Sequence, residues 1–228
     1  IAWRESIKKL LFLVSSCIYP KFAKQPISEE ELLTSELEQT NQWYAIAKIS
    51  GIKLCEALKK QYNFNALCLM PTNLYGPGDN YHPVNSHVLA AFIRKIYEAK
   101  KLSKESVTFW GSGNPFREFM HVDDLGDAVT FILENWDPED QKFLTPTNKT
   151  LTYLNVGTGK DLTIKNLALK IADKVGFKGQ IEWDKSKPDG TPRKLLDISL
   201  ISELGWFHKI NLNSGLKSTI DDFIKNYI

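Results

Sequence analysis

A run of apolar residues that does not alternate sets the strongest limit on the fold. KKLLFLVSS (8–16) is that run, and NALCLMPTN (65–73) and TYLNVGTG (152–159) read as further strands. A strand with one wet face alternates polar and apolar side chains, whereas a strand covered on both faces has no reason to. Around these runs lie stretches with the 3.6-residue spacing of helices, over 42–62, 85–101, 122–136, 162–175 and 213–227. VTFW (107–110) and QIEW (180–183) read as shorter strands. Strands alternating with helices predict an α/β chain built on a doubly wound parallel sheet. Such a sheet gathers ligands at the carboxyl ends of its strands, so the residues that follow each apolar run are the first place to look for chemistry.

A length of 228 residues supports one or two domains with a substantial core, and 43% hydrophobic with 25% charged residues is ordinary for a globular chain. A net charge of +2 gives no electrostatic footprint for nucleic acid or an anionic membrane. No apolar run reaches the ~20 residues a membrane span needs, and the one after Lys8-Lys9 is too brief for a signal segment and leads into a strand. Cys17, Cys55 and Cys68 fit neither metal-ligand spacing nor a paired disulfide framework, so no metal site is expected and a reducing, cytoplasmic setting is. The polar segment 19–40, with its acidic cluster Glu29, Glu30 and Glu31, suits either a surface loop over the active site or a plain connecting loop.

The first strand ends in Ser15-Ser16-Cys17, and the long helix after it carries Tyr44 and Lys48. A four-residue step puts two side chains on one helix face about a turn apart. A phenol alone, with a pKa of about 10, is a poor proton donor at neutral pH, and an adjacent ammonium favours its ionised form. With a serine hydroxyl to share the substrate oxygen, Ser, Tyr and Lys make a proton-transfer set suited to a carbonyl beside a nicotinamide. Cys17 has two readings, a small buried hydrophobe or a thiol able to move a proton next to a ketone. His87 likewise reads either as a helix-opening structural residue or as a proton-transfer group near neutrality. Cys55 and Cys68 read as core, His82 and His121 as structural, His208 as exposed.

Five segments taken in order, SSCIYPKFAKQPISEEEL (15–32), YAIAKISGIKLCEAL (44–58), MPTNLYGPGDNYHPVNSHV (70–88), FWGSGNPFREFMHVDDL (109–125) and KPDGTPRKLLD (187–197), closely resemble the GDP-L-fucose synthases, a family of extended short-chain dehydrogenase/reductases. The resemblance implies an NADP(H)-dependent enzyme acting on GDP-4-keto-6-deoxy-D-mannose, with epimerisation at C3 and C5 followed by reduction at C4. It implies Tyr44, Lys48, Ser15, Cys17 and His87 as catalytic residues, with Ser15 rather than Ser16 the expected partner of the C4 oxygen. Ser15, Ser16, Tyr44, Lys48, Pro71, Thr72, Asn73, Leu74 and His87 would meet the cofactor. Lys95, Trp110, Arg117, Asp189 and Lys194 would meet the GDP-sugar, with Arg94 an adjacent alternative to Lys95. It further implies a homodimer through the helix of Tyr44 and Lys48. A cofactor domain of 1–77 and 120–159 would interleave with a substrate domain of 78–119 and 160–228. Val14 departs from the glycine that family members often carry there.

No G-x-G-x-x-G turn occurs in the sequence. GSG (111–113) has Phe116 where a third glycine belongs, and GTGK (157–160) lacks the upstream glycine and the following Ser/Thr of a phosphate loop, so both read as turns after strands. The expectation is therefore the C-terminal portion of a longer enzyme, one whose glycine turn would hold the cofactor pyrophosphate. The alternatives are an inactive nucleotide-sugar-binding fragment, or a different NAD(P)-dependent nucleotide-sugar epimerase or reductase.

Overall fold

The computed structural model describes residues 2–137 and 152–227. In chain order the strands are β1 (Leu10–Leu13), β2 (Ala66–Pro71), β3 (Asn73–Tyr75), β4 (Ser106–Trp110), β5 (Phe116–His121), β6 (Tyr153–Val156), β7 (Asp161–Thr163), β8 (Gln180–Asp184) and β9 (Arg193–Lys194). The helices are α1 (Gln42–Tyr62), α2 (Val88–Lys101), α3 (Val122–Asn135), α4 (Ile164–Val175), α5 (Ser199–Glu203) and α6 (Leu212–Asn226). The chain packs as two compact units, one of 1–72, 124–159 and 195–208, the other of 73–123, 160–194 and 209–228.

The first unit holds a parallel sheet in the order β1-β2-β6, with Leu11 opposite Leu67 and Leu69 opposite Leu154. Every residue of β2 is buried, as expected of a strand covered on both sides. Ala66, Cys68 and Met70 face a core shared with Ile49, Ile52 and Cys55 of α1. Leu67 and Leu69 alternate to the opposite face and are fully buried too. Gly51 lets α1 lie directly on the sheet, because a Cβ there would overlap the Phe12 ring. The helix ends where Asn63 takes the left-handed conformation, φ 51° and ψ 31°, and returns its N–H to Leu58 O.

Two readings change here. The 19–40 connection is not a purely solvated loop: Tyr19, Ala23, Ile27 and Glu29 are all buried in this unit. Residues 195–208 also pack with this unit rather than with the second. Ile27 N–H donates to Leu195 O at 2.8 Å, Asp197 N–H donates back to Ile27 O at 2.8 Å, and Ile27 forms a parallel bridge with Leu196. Such long-range pairing leaves no local periodicity to read.

The second unit is mixed. β5 pairs in parallel with β3 and β9 and antiparallel with β7, and β4 pairs in parallel with β8. Helices α2, α4 and α6 close its core around Ile93, Ile96, Phe109, Leu167, Ile171, Leu216 and Phe223. Thr163 caps α4 by accepting from Asn166 N–H at 3.1 Å, and Asn211 caps α6 by accepting from Ser214 N–H at 3.0 Å. Gly215 gives α6 its close approach, since a Cβ would meet the Tyr75 hydroxyl. His121 is buried edge-on against Tyr75 with rings 5.4 Å apart, which fits a packing role, whereas His208 of the first unit is half-buried rather than exposed.

Candidate active site

Past the end of β1 the ladder runs one residue further, Val14 N–H donating to Leu69 O at 2.8 Å, and then the chain turns. Ser15, in extended conformation, caps a single 3-10 turn over Ser16–Ile18, its Oγ accepting from Cys17 N–H at 3.2 Å. The turn leaves Ser15 and Cys17 half-buried and hides Ser16 at 2% exposure, so Ser15 is the more accessible hydroxyl. Cys17, Cys55 and Cys68 make no disulfide, and Cys55 and Cys68 lie in the core.

Lys48 is tied back to this strand end. Its Nζ donates to Leu13 O at 2.8 Å, lies 5.0 Å from the centre of the Phe12 ring, and lies 5.8 Å from the Tyr44 ring. One ammonium hydrogen is thus spent on positioning, and an ammonium has two more to offer. The Tyr44 ring stays 45% exposed. In the same unit, Pro71 ends β2 and Thr72 N–H donates to Val156 O at 3.0 Å, so the turn after β2 is pinned by β6.

These residues fit the nicotinamide and ribose end of a dinucleotide. An exposed phenol and an ammonium with free donors stand on one helix face, tied to a strand's carboxyl end where ribose hydroxyls are commonly met. The sequence holds no glycine turn for the pyrophosphate, so the fit extends to that end alone.

The second unit forms an open groove of about 200 Å³ lined by Asn73, Val88, Trp110, Arg117, Pro188 and Asp189 among others. Asn73 Nδ2 donates to Glu118 O at 2.8 Å, which fixes the residue after the β2 turn, and Leu74 follows it in β3. Trp110 ends β4 with its ring 73% exposed and Lys187 Nζ 5.7 Å from the ring centre. Asp189 accepts from Ser112 Oγ at 2.6 Å and from Ser112 N–H at 2.8 Å. Those two bonds, and to a lesser degree the Arg117 guanidinium, hold its carboxyl below the usual range. Gly111, at φ +84°, permits this approach, because a side chain there would strike Asp189.

Three of the five residues expected to meet the sugar nucleotide, Trp110, Arg117 and Asp189, therefore share one groove. Lys194 lies opposite Arg117 in the β5–β9 pairing. Lys95 does not line the groove: it sits exposed on α2 with its Nζ 5.8 Å from the Phe109 ring. Its neighbour Arg94 donates to Glu98 Oε1 at 2.7 Å and to Tyr81 O at 2.8 Å. His87 is the exposed N-cap residue of α2, its carbonyl accepting from Ala91 N–H at 2.9 Å, while its side chain caps nothing. Burial raises the Asp79 carboxyl pKa, and His87 partly offsets that rise.

Sequence reasoning missed Ser112 and Lys187 around the groove, and it missed a buried polar network in the first unit. Burial pushes the Glu29 pKa up to about 7, and pushes the Tyr19 phenol well above its ordinary value. Nothing local marks Glu29 apart from Glu30 and Glu31; only its packing does.

Residues 2–143 match the model of the NAD dependent epimerase/dehydratase family. The chain is 53% identical over 223 residues to a probable GDP-L-fucose synthase 1 of Oryza sativa subsp. japonica, covering 98% of this chain and 64% of that one. It is 52% identical over 225 residues to the GDP-L-fucose synthase of Escherichia coli (strain K12), covering 99% of this chain and 69% of that one. Among solved structures it resembles a GDP-mannoheptose C4 reductase from Campylobacter jejuni with NADP bound. There the TM-score is 0.86 and the identity 36%, covering 98% of this chain and 70% of that one. The chain thus spans slightly less than two thirds of the rice relative's length. A family model that matches residues 2–143, a parallel sheet with Ser15 and Cys17 just past β1 and Lys48 bonded to the carbonyl of Leu13, and identity above one half over nearly every residue agree: the chain belongs to the NAD dependent epimerase/dehydratase family, in its GDP-L-fucose synthase branch.

Proposed function

We propose that this chain is the catalytic and substrate-binding portion of an NADPH-dependent GDP-L-fucose synthase, acting on GDP-4-keto-6-deoxy-D-mannose. The observation that carries the reading is Lys48, which shares a helix face with Tyr44 and bonds to the carbonyl of Leu13, two residues before Ser15. The exposed Trp110 ring, the Arg117 guanidinium and the Asp189 carboxylate in one groove support a GDP-sugar as ligand: a flat face for a ring, a cation for a diphosphate, and an acceptor for hydroxyls. The name of the Campylobacter jejuni structure, with NADP bound, supports NADP(H) as cofactor.

In this reading the C4 ketone acidifies the hydrogens at C3 and C5. Cys17 and His87 move protons at those carbons, each group serving a different face of the ring. The nicotinamide, when bound, supplies a hydride to C4. Tyr44 gives its hydroxyl proton to the C4 oxygen as charge develops there, and Ser15 donates a hydrogen bond to the same oxygen. Lys48 holds the cofactor ribose and stabilises charge on Tyr44. Ser16, Pro71, Thr72, Asn73 and Leu74 would also meet the cofactor.

The same reading makes the protein a homodimer through α1. Trp43, Ile46 and Leu54 lie at 75%, 46% and 59% exposure at spacings that return to one helix face. Among the described residues no helix is long and apolar enough to cross a membrane. A compartment that supplies NADPH and keeps thiols reduced, the cytoplasm, suits the chemistry. The test is to fuse a relative's N-terminal glycine-turn segment ahead of Ile1 and follow NADPH oxidation with GDP-4-keto-6-deoxy-D-mannose. GDP-L-fucose as product supports the assignment. Oxidation of NADPH that yields only a C4-reduced sugar with unchanged C3 and C5 would instead make it a simple reductase.

A further inference from the structure

Tyr19 directly follows the turn that carries Ser15 and Cys17, its N–H donating to Ser16 O, and its side chain runs inward at 3% exposure. Its hydroxyl donates to Asn155 Oδ1 at 2.7 Å. Asn155, fully buried on β6, donates through Nδ2 to Ile27 O at 2.8 Å and to Asp197 O at 3.1 Å. Its backbone N–H donates to Glu29 Oε1 at 2.8 Å. One asparagine therefore joins the Ser15–Cys17 turn, the β1–α1 connection and the segment before α5. Glu29 sits under it at 5% exposure.

The titratable groups that meet Glu29 are Glu30 on its own turn, Asp197 ahead of α5, and Tyr19 and Tyr153 across the network. None of them supplies a positive charge. Burial, reinforced by Asp197 and Glu30, keeps the carboxyl protonated until about pH 7. Ionisation of Glu29 therefore leaves a buried charge beside the asparagine that holds the turn, with acidic titratable neighbours and only backbone N–H groups, that of Asn155 among them, to offset it.

We propose that Tyr19, Asn155 and Glu29 are positioning residues for the turn that presents Ser15 and Cys17, and that ionisation of Glu29 loosens that turn. The catalytic meaning of the turn rests on the function proposed above; the mechanical coupling does not. Cys17 reports on it directly, because it is half-buried while Cys55 and Cys68 are in the core.

The test is the rate of Cys17 alkylation by iodoacetamide in the full 228-residue chain, read by mass spectrometry between about pH 6 and pH 8, where Glu29 changes charge. Tyr19→Phe removes only the hydroxyl link and raises the rate about fivefold at every pH, the factor one buried hydrogen bond contributes to a local opening equilibrium. Glu29→Gln keeps an acceptor for Asn155 N–H but cannot ionise. It matches the unsubstituted chain at the acid end and reacts about fivefold more slowly at the alkaline end, where the unsubstituted chain has loosened. An unchanged rate in folded Tyr19→Phe, or a constant ratio between Glu29→Gln and the unsubstituted chain across the pH range, overturns the proposal. If Tyr19→Phe does not fold by circular dichroism, the pH ratio of Glu29→Gln decides alone. Alkylation needs neither NADPH nor a sugar nucleotide, so failure of the proposed reaction leaves this result standing, and the reverse.

Discussion

Replacing Glu29 by Gln should make the protein more stable above neutral pH and leave it nearly unchanged in acid. Burial raises the Glu29 carboxyl from 4.5 to about 7, with Asp197 and Glu30 adding to the rise and the Asn155 N–H opposing it. A group whose folded-state pKa is raised binds its proton more tightly in the native chain than in the unfolded one. Stability therefore falls as pH climbs through that interval. The native chain carries no penalty below pH 4.5 and the full penalty above about pH 7. At about 1.4 kcal/mol for each tenfold change in proton affinity, the rise corresponds to about 3 kcal/mol. Little solvent screening reduces this, because Glu29 is only 5% exposed. For a chain of this size about 3 kcal/mol shifts the melting temperature by about 6–12 °C. The assay is thermal or urea unfolding of both proteins at a series of pH values, read as their difference. Groups such as Asp189 and Asp184, whose pKa values are lowered, are common to both proteins and cancel. The expected difference is near zero at pH 4.5, grows through neutrality and levels off above pH 8. Parallel stability curves, or a difference that shrinks as pH rises, would refute the reasoning.

If the proposed function holds, Tyr44→Phe, in a form fused to a relative's glycine-turn segment, should lower hydride transfer by about 10²–10⁴-fold while solvent deuterium still exchanges at C3 and C5; loss of exchange with binding intact contradicts the division of roles. Cys17→Ser and His87→Asn should each slow that exchange by a similar factor, and reduction of a ketosugar already in the product configuration should be far less affected. Arg117→Ala should weaken GDP binding to the groove by about tenfold or more in calorimetric titration, the effect of losing a charge-assisted contact. If the proposed dimer through α1 exists, the unsubstituted chain should run as a dimer in light scattering and Trp43→Glu as a monomer, since it puts a charge on the exposed apolar face of α1; an unsubstituted chain that is monomeric, or an unchanged mass, refutes that interface.

What the sequence determined by itself is what periodicity and short motifs encode. The strand-like runs became β1, β2 and β6, and the 3.6-residue patterns became α1 to α4 and α6, because burial on two faces or on one stripe writes itself into neighbouring residues. Tyr44 and Lys48 were legible for the same reason: a four-residue step on a helix is a local fact. The tertiary structure alone decided the rest. β3, β7 and β9 are two or three residues long, and they exist through pairing with β5, itself not evident from its own residues, rather than through any pattern of theirs. Trp110, Arg117 and Asp189 come from three separate segments, and only the β4, β5 and 185–192 geometry brings them to one groove while leaving Lys95 outside it. Glu29 stands between a serine and another glutamate and looks solvated. Long-range bonds to Asn155 on β6 bury it instead, because partners more than a hundred residues apart leave no trace in local composition.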